Sequence, residues 1–385
     1  MTLRNTFLTI LCCCLFSSLI AQDDNGRYKF IAVKAMTGGH LYSGQSLTEE
    51  VSWGYGAFDI RFAWQPSKEN DWSRDTGYAA YGIGFYNAFV GDPQIFGDPT
   101  ALYGFANFYL SKPWRRNVLE LSPALGLTYH LKPYDPQTNP TNDAIGSRMA
   151  VYFNVHFGGA YKFTRELDLT YGIDFTHYSN GRTWQPNYGL NLFGLNAGIR
   201  YNWNAYQRQV DKDFYTTNVV SARFNRPERP KTGKFDFNNS VDFYGAAGVV
   251  QNEGDVGTNV RYGTLSFVVD YRRYFNRMSG LTLGLDYFYD ASLGAEKDAE
   301  GNLIGYDTYM IAAHAGYDFM FWRFNIRVQM GAYLTDDRGK GTTFFRPAIQ
   351  YQVTKRFFAQ VGLKTKNGFA ADWVEFGVGF KPFKW

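Results

Sequence analysis

The sequence predicts an all-β protein, a transmembrane antiparallel β-barrel of about 16 strands, on three observations. Aromatic residues make up 19% of the 385 residues, glycine is abundant at 40, and the net charge is only +4. Apolar and polar residues alternate with period 2 through segment after segment, the period at which strand side chains change faces. Beyond the first 21 residues no segment approaches the roughly 18 consecutive apolar residues of a membrane helix, whereas many alternating runs reach the roughly ten residues of a tilted membrane strand. A soluble sandwich also alternates, but its strands average about five or six residues. Rows of Arg, Asp and Asn on so many strands suit a polar lumen.

In chain order, residues 1–21 read as a signal peptide, with Arg4 in a basic start, an apolar run from Phe7 to Ile20 and a small residue at Ala21. That run is short for a membrane anchor, and Leu11 before Cys12 argues against a lipoprotein. Cys12, Cys13 and Cys14 all fall inside this leader. The mature chain therefore has no disulfide framework, zinc-thiolate site or thiol nucleophile, and no metal or cofactor is expected. Basic residues are scattered rather than clustered, so no nucleic acid is called for.

About sixteen alternating runs follow: near 27–36, 51–64, 77–90, 100–112, 118–132, 147–162, 166–178 and 189–203, then near 239–251, 260–275, 280–292, 306–320, 321–334, 342–353, 356–366 and 372–384. Leu265, Phe267, Val269 and Tyr271 alternate with Ser266, Asp270 and Arg272, and Trp322 to Met330 alternate with Arg323, Asn325, Arg327 and Gln329. Leu119 to Leu131 do so with Glu120, Ser122, Thr128 and His130. Connections at 37–50, 132–146, 179–188 and 293–305 are long and rich in Gly, Asn and Asp, which with a periplasmic N-terminus places them outside. A polar linker, 204–238, separates a first half (22–203) from a second (239–385). The likeness between the halves is either a duplication in which only the first keeps its chemistry or a chance match of alternating hairpins. One sheet closing all the strands is the expected architecture, because free edges weigh against small sheets. Two eight-stranded barrels in tandem are the alternative. The final strand ends in Phe383 and Trp385, the aromatic end that barrel-assembly machinery would read, although its parity slips before Phe383.

Parity singles out one stretch. Leu167, Leu169, Tyr171, Ile173, Phe175, His177 and Ser179 share one face, and Asp168, Thr170, Asp174 and Thr176 the other. Barrel strands turn apolar residues to lipid. His130, His156 and His314 then point to the lumen, and His177 is the strand histidine on the lipid face. An ionisable group there is costly and a candidate for function, although ring side chains also occur at strand ends in the interfacial belt. A serine needs an adjacent base to become a nucleophile, and Ser179 follows His177 at the same-face spacing.

His177-Tyr178-Ser179-Asn180-Gly181, followed by Pro186-Asn187-Tyr188-Gly189, resembles the hallmark of the lipid A 3-O-deacylase (PagL) family of outer-membrane acyl-ester hydrolases, His-x-Ser-Asn and then Asn-x-Gly. The resemblance is carried by this hairpin, extends loosely over the first eight runs and does not reach the second half. It implies Ser179 as nucleophile, His177 as base, and Asn180 with backbone N–H groups near Gly181 as oxyanion hole. Arg182 and Asn187 are then substrate-binding residues, Arg182 toward a lipid A phosphate. The family places a Glu two residues after Asn-x-Gly, where this chain has Asn191, on the face of Phe193 and Leu195 and so beside His177. An Asn can orient the ring but cannot balance an imidazolium.

The resulting expectation is a bacterial outer-membrane ester hydrolase that removes an acyl chain from lipid A at the lipid-facing outer rim. The alternative is a non-catalytic porin or structural barrel with a vestigial motif, which the missing Glu and the inward rows of Arg323, Arg327 and Asp270 favour.

Overall fold

The computed structural model describes residues 27–66, 75–111, 115–164, 166–203, 238–298, 300–336 and 338–385. The expected signal peptide and nearly all of the expected linker lie outside the described residues. The first half forms β1 (Arg27–His40), β2 (Tyr55–Pro66), β3 (Ala80–Phe89), β4 (Gly97–Tyr109), β5 (Asn117–Leu131), β6 (Ala150–Lys162), β7 (Leu167–Ser179) and β8 (Leu190–Trp203). The second forms β9 (Asn239–Val250), β10 (Tyr262–Asn276), β11 (Ser279–Asp290), β12 (Tyr309–Phe321), β13 (Phe324–Tyr333), β14 (Thr343–Gln352), β15 (Phe357–Lys366) and β16 (Ala370–Lys384). None is shorter than the 10 residues of β3, enough for a tilted strand to cross a bilayer.

Every neighbouring pair is antiparallel. β8 returns to β1 in continuous register from Lys29↔Trp203 to His40↔Leu192, and β16 returns to β9. The chain thus closes into two barrels, β1–β8 and β9–β16. The barrel class is as expected, and the closure is the tandem alternative, not the single sixteen-stranded sheet. Edges do not count against it, because each closure removes its own. Eight strands enclose a space just wide enough for side chains, and the inward rows fill it.

The alternation decides what faces where. On β7, Leu169, Tyr171 and Ile173 are 49%, 39% and 37% exposed, while Asp168, Thr170, Asp174 and Thr176 are buried inside. In the first lumen Arg61 donates to Asp59 at 2.7 Å, Ser122 at 2.8 Å and Asn154 at 3.2 Å. Arg200 grips both oxygens of Glu120 at 2.8 and 2.5 Å. In the second, Arg327 lies on Asp318 at 2.9 and 3.0 Å and also on Asp270. Arg272 reaches Asp242 at 2.9 Å and Asp318 at 2.6 Å. His314 bridges Asp270 and Asp286, each at 2.6 Å. A water-filled channel would leave such rows accessible, and they are buried. Arg323, expected in the lumen, instead sits in the β12–β13 turn and donates to the Gln352 and Val353 carbonyls.

His156 and His314 point inward as parity predicts. His130 does not: its φ of 66° reverses the chain locally. That leaves the ring exposed and turns Leu131 into the interior. The parity slip near the C-terminus is a register shift between Phe380 and Phe383 against β9.

The barrels stand side by side. At the end where β1 begins and β16 finishes, Tyr81 stacks on Trp322 with ring centres 6.0 Å apart. There Phe108 also meets Phe319 and Phe321 edge-on, each at 5.6 Å. At the opposite end, the connection between β7 and β8 rests on the second barrel.

Candidate active site

β7 delivers His177 and Ser179 to the longer-loop end of the first barrel, and β8 begins beside them. In the ladder His177 pairs with Asn191 of β8 and with Phe153 of β6. Facing residues on adjacent strands lie about 5 Å apart, so the pair forms a contact: Asn191 Oδ1 is 2.6 Å from His177 Nδ1. Asn191 Nδ2 donates to the Leu41 carbonyl at 3.3 Å. That second contact fixes which way the amide points, because a reversed amide would set its oxygen against the Leu41 carbonyl. The oxygen therefore faces the ring, Nδ1 carries the proton, and the Nε2 lone pair is left as the basic site.

Ser179 and Asn180 are each 8% exposed. The Ser179 oxygen accepts from the Gly181 N–H at 3.1 Å and from Asn187 Nδ2 at 2.9 Å. Both lone-pair directions are thus occupied by donors, leaving the hydroxyl proton as the group to be given away. No hydrogen bond joins that hydroxyl to the ring among the described residues. Asn187, expected to contact substrate, also donates to the Gly181 carbonyl at 2.7 Å and so braces the turn. Asn180 donates to Ser147 Oγ at 2.9 Å, so one of its two amide protons is already committed.

Two glycines make the arrangement possible. Gly189 has φ of +80°, and a Cβ there would lie 3.0 Å from His177 Cε1. It is the last residue of the Asn-x-Gly motif, and its bare Cα leaves room for the ring beside the strand start. Gly146 lies in the loop between β5 and β6, where a Cβ would be 2.3 Å from the Trp184 carbonyl oxygen and 2.7 Å from that of Pro186. The same loop accepts the N–H groups of Tyr188 (onto Asp143, 3.1 Å) and Gly189 (onto Ala144, 3.0 Å). The Asp143 carboxylate is itself held by the Tyr42 hydroxyl and by the N–H groups of Gln45 at 3.0 Å and Ser46 at 3.1 Å. Burial, and then the Asp143 carboxylate, push the Tyr42 hydroxyl up to about 12, so it remains a donor.

Arg182 differs from the sequence expectation. Its guanidinium reaches Asp372 at 3.2 Å, Asp290 at 3.4 Å and Ser292 at 3.2 Å, all in the second barrel. A phosphate would have to compete with two buried carboxylates for it. Leu41, Gly146, Ser147 and these second-barrel residues were not legible as site residues, because nothing in their local sequence marks them. No candidate metal site of three or more His, Cys, Asp or Glu is found among the described residues.

Two closed barrels with apolar outer faces and polar interiors define an outer-membrane β-barrel protein, and the hairpin at the end of β7 carries its candidate ester-hydrolase residues. The chain belongs to the lipid A 3-O-deacylase (PagL) family, whose model matches residues 56–200, while the model described as the acyloxyacyl hydrolase C-terminal domain matches residues 239–385. Membership makes it an enzyme acting on an acyl ester of lipid A in the outer membrane. The second half, which shows no resemblance in the sequence reading, thus has a family model of its own. A comparison with curated proteins found no match. Among solved structures the chain is similar to Neisserial surface protein A (14% identity, TM-score 0.30, 46% of this chain and 97% of that one). It is also similar to the N-terminal β-barrel domain of Pseudomonas aeruginosa OprF (12%, 0.26, 45% and 97%). A third is the Acinetobacter baumannii outer membrane protein Omp33 (6%, 0.17, 93% and 100%).

Proposed function

We propose that the chain removes an ester-linked acyl chain from lipid A by a Ser-His mechanism at the lipid-facing outer rim of the first barrel. The observation that carries this reading is the His177–Asn191 pair, whose amide orientation leaves Nε2 as a base two residues from Ser179 on the same face. Catalytic hydrogen bonds often tighten only with substrate bound, and the Ser179–His177 bond forms at that stage. As Ser179 Oγ bonds to the acyl carbon, its proton passes to His177 Nε2. The ester C–O bond then breaks, and the ring returns the proton to the departing alkoxide. Water, deprotonated by the same ring, hydrolyses the acyl-serine.

The Gly181 N–H donates to Ser179 Oγ before attack and is released toward the acyl carbonyl oxygen as Oγ bonds to the acyl carbon. With the remaining Asn180 amide proton it supplies donors for the developing oxyanion, which is where preorganised donors act most strongly. A site on the lipid face meets an acyl ester at the membrane boundary without drawing lipid into a lumen. Export through a cleaved signal at residues 1–21 and insertion by barrel-assembly machinery at the C-terminal strand complete the reading.

The test is mass spectrometry of lipid A extracted from cells expressing wild type, Ser179→Ala or His177→Ala. Wild type should remove one acyl chain and both variants should leave it in place. Identical acylation in all three would end the hydrolase assignment of these residues.

A further inference from the structure

The geometry points to a role for the second barrel: it holds the nucleophile loop of the first in its working shape, with Arg182, Thr183, Gln185 and Gln251 as positioning residues. This deepens the proposed function and rests on Ser179 being the nucleophile. The loop from Asn180 to Asn187 follows Ser179 directly, and its Gly181 N–H and Asn187 amide both donate to Ser179 Oγ. Whatever fixes this loop therefore fixes the donors around the reacting oxygen.

The second barrel touches nearly every residue between those two. The Gln251 N–H donates to the Arg182 carbonyl at 2.8 Å. Thr183 Oγ1 donates to the Val249 carbonyl at 3.2 Å. Arg261 places its guanidinium 3.7 Å over the Trp184 ring. Gln185 makes a two-point contact with Gln251: its N–H donates to Oε1 at 2.8 Å, and its Nε2 donates to the Gln251 carbonyl at 2.6 Å. Gln251 is fully buried, and its own Nε2 is anchored on the Asp255 and Thr258 carbonyls at 2.9 and 3.0 Å. It is thus a rigid strut. Gly181 itself lies against β16, where a Cβ would be 3.1 Å from Val374 Cγ2. Arg182 adds its bonds to Asp290, Asp372 and Ser292, and buried charge pairs of this kind hold geometry tightly. The first barrel braces the other side of the loop through Gly146 and Asp143, so the loop is held between the two.

The experiment uses the full-length protein in detergent with purified lipid A, comparing wild type with Arg182→Ala, Arg182→Lys, Gln251→Ala, Thr183→Val and Ser179→Ala. Loss of a support distant from the chemistry shows in kcat, and a misplacement of about 1 Å can cost about 10²-fold. Arg182→Ala and Gln251→Ala should lower kcat by about that factor with KM little changed and heat-modifiable migration preserved. Arg182→Lys should recover part of the rate, and Thr183→Val, which removes one hydrogen bond, should lose the least. A second readout does not depend on catalysis: trypsin should cut after Arg182 about ten-fold faster in Gln251→Ala than in wild type, as opening follows the lost contacts. Wild-type turnover in Arg182→Ala and Gln251→Ala, beside an inactive Ser179→Ala, would overturn the clamp while leaving the nucleophile intact. If Ser179→Ala is active, the catalytic assignment fails, and unchanged cleavage after Arg182 would then refute the clamp on its own.

Discussion

Asn191 stands directly across the β7–β8 ladder from His177 and holds its Nδ1 at 2.6 Å. Because the Leu41 carbonyl fixes the amide, the pair selects one ring tautomer and leaves the other nitrogen basic. Asn191→Ala removes that selection. In a serine protease a wrong tautomer costs roughly 10⁴-fold in turnover, and loss of the orienter here should lower kcat on lipid A by about 10²-fold or more. Initial rates with purified lipid A measure it, and a rate within error of wild type would show that the contact has no part in the reaction.

Asn191→Asp keeps the length of the side chain and adds the charge that an imidazolium calls for. At the dry edge of a membrane that charge acts more strongly than in water. We expect kcat to rise about ten-fold, and stability to fall by about 1 kcal/mol because the donor to the Leu41 carbonyl is lost. Asn191→Glu, one methylene longer than a 2.6 Å contact accommodates, should gain less. A slower Asp variant would mean that the neutral amide is already the better orienter.

Gly189→Ala tests the packing of the ring. The new Cβ would sit 3.0 Å from His177 Cε1 at a φ of +80°, a conformation costing an L-residue about 1–2 kcal/mol. The ring has to move, so kcat should drop while the barrel, whose strands are untouched, keeps its heat-modifiable migration. Unaltered kinetics would place the ring away from the chemistry.

Gly146→Ala acts from the far side. Its Cβ would overlap the Trp184 and Pro186 carbonyls at 2.3 and 2.7 Å, so the loop bearing Asn187 cannot keep its place. Deacylation should fall by about 10²-fold, the order expected from displacing a positioning element by about 1 Å. Ser147→Ala, which removes the acceptor for Asn180 and the hydroxyl's own bond to the Met149 carbonyl, should fall less. The reverse ranking would contradict this picture of the loop.

Filled lumens make a further prediction. Tyr86, Tyr152 and Tyr178 in the first barrel, and Arg327, Arg272, Arg346 and Lys364 in the second, are among the largest fully buried side chains, so neither barrel should sustain a steady current in a planar bilayer. A stable open conductance from the purified protein would require these ion pairs to part, and would revive the porin alternative.

The strands were legible in the sequence because alternation is a local property. About sixteen runs read by period 2 coincide in number with sixteen strands among the described residues, and Leu169, Tyr171 and Ile173 of the expected lipid-facing row are the exposed side chains of β7. Parity failed where the backbone left the extended region, at His130, while the slip legible before Phe383 is a register shift against β9. The His-x-Ser-Asn hairpin and the placement of Asn191 beside His177 were readable for the same local reason.

The sequence by itself determined the strands, their faces and the hairpin that carries the His-x-Ser-Asn motif. Only the tertiary structure decided which strands close on each other, since every run alternates alike whether β8 meets β1 or β9. It also decided that Leu41 sets the tautomer of His177 and that Arg182 spends its charge on Asp290 and Asp372 rather than standing open to a phosphate. Those contacts join residues more than a hundred positions apart. Period and composition constrain neighbours along the chain, whereas such pairings are fixed by the closure of β8 on β1 and by how the two barrels come to lie against each other.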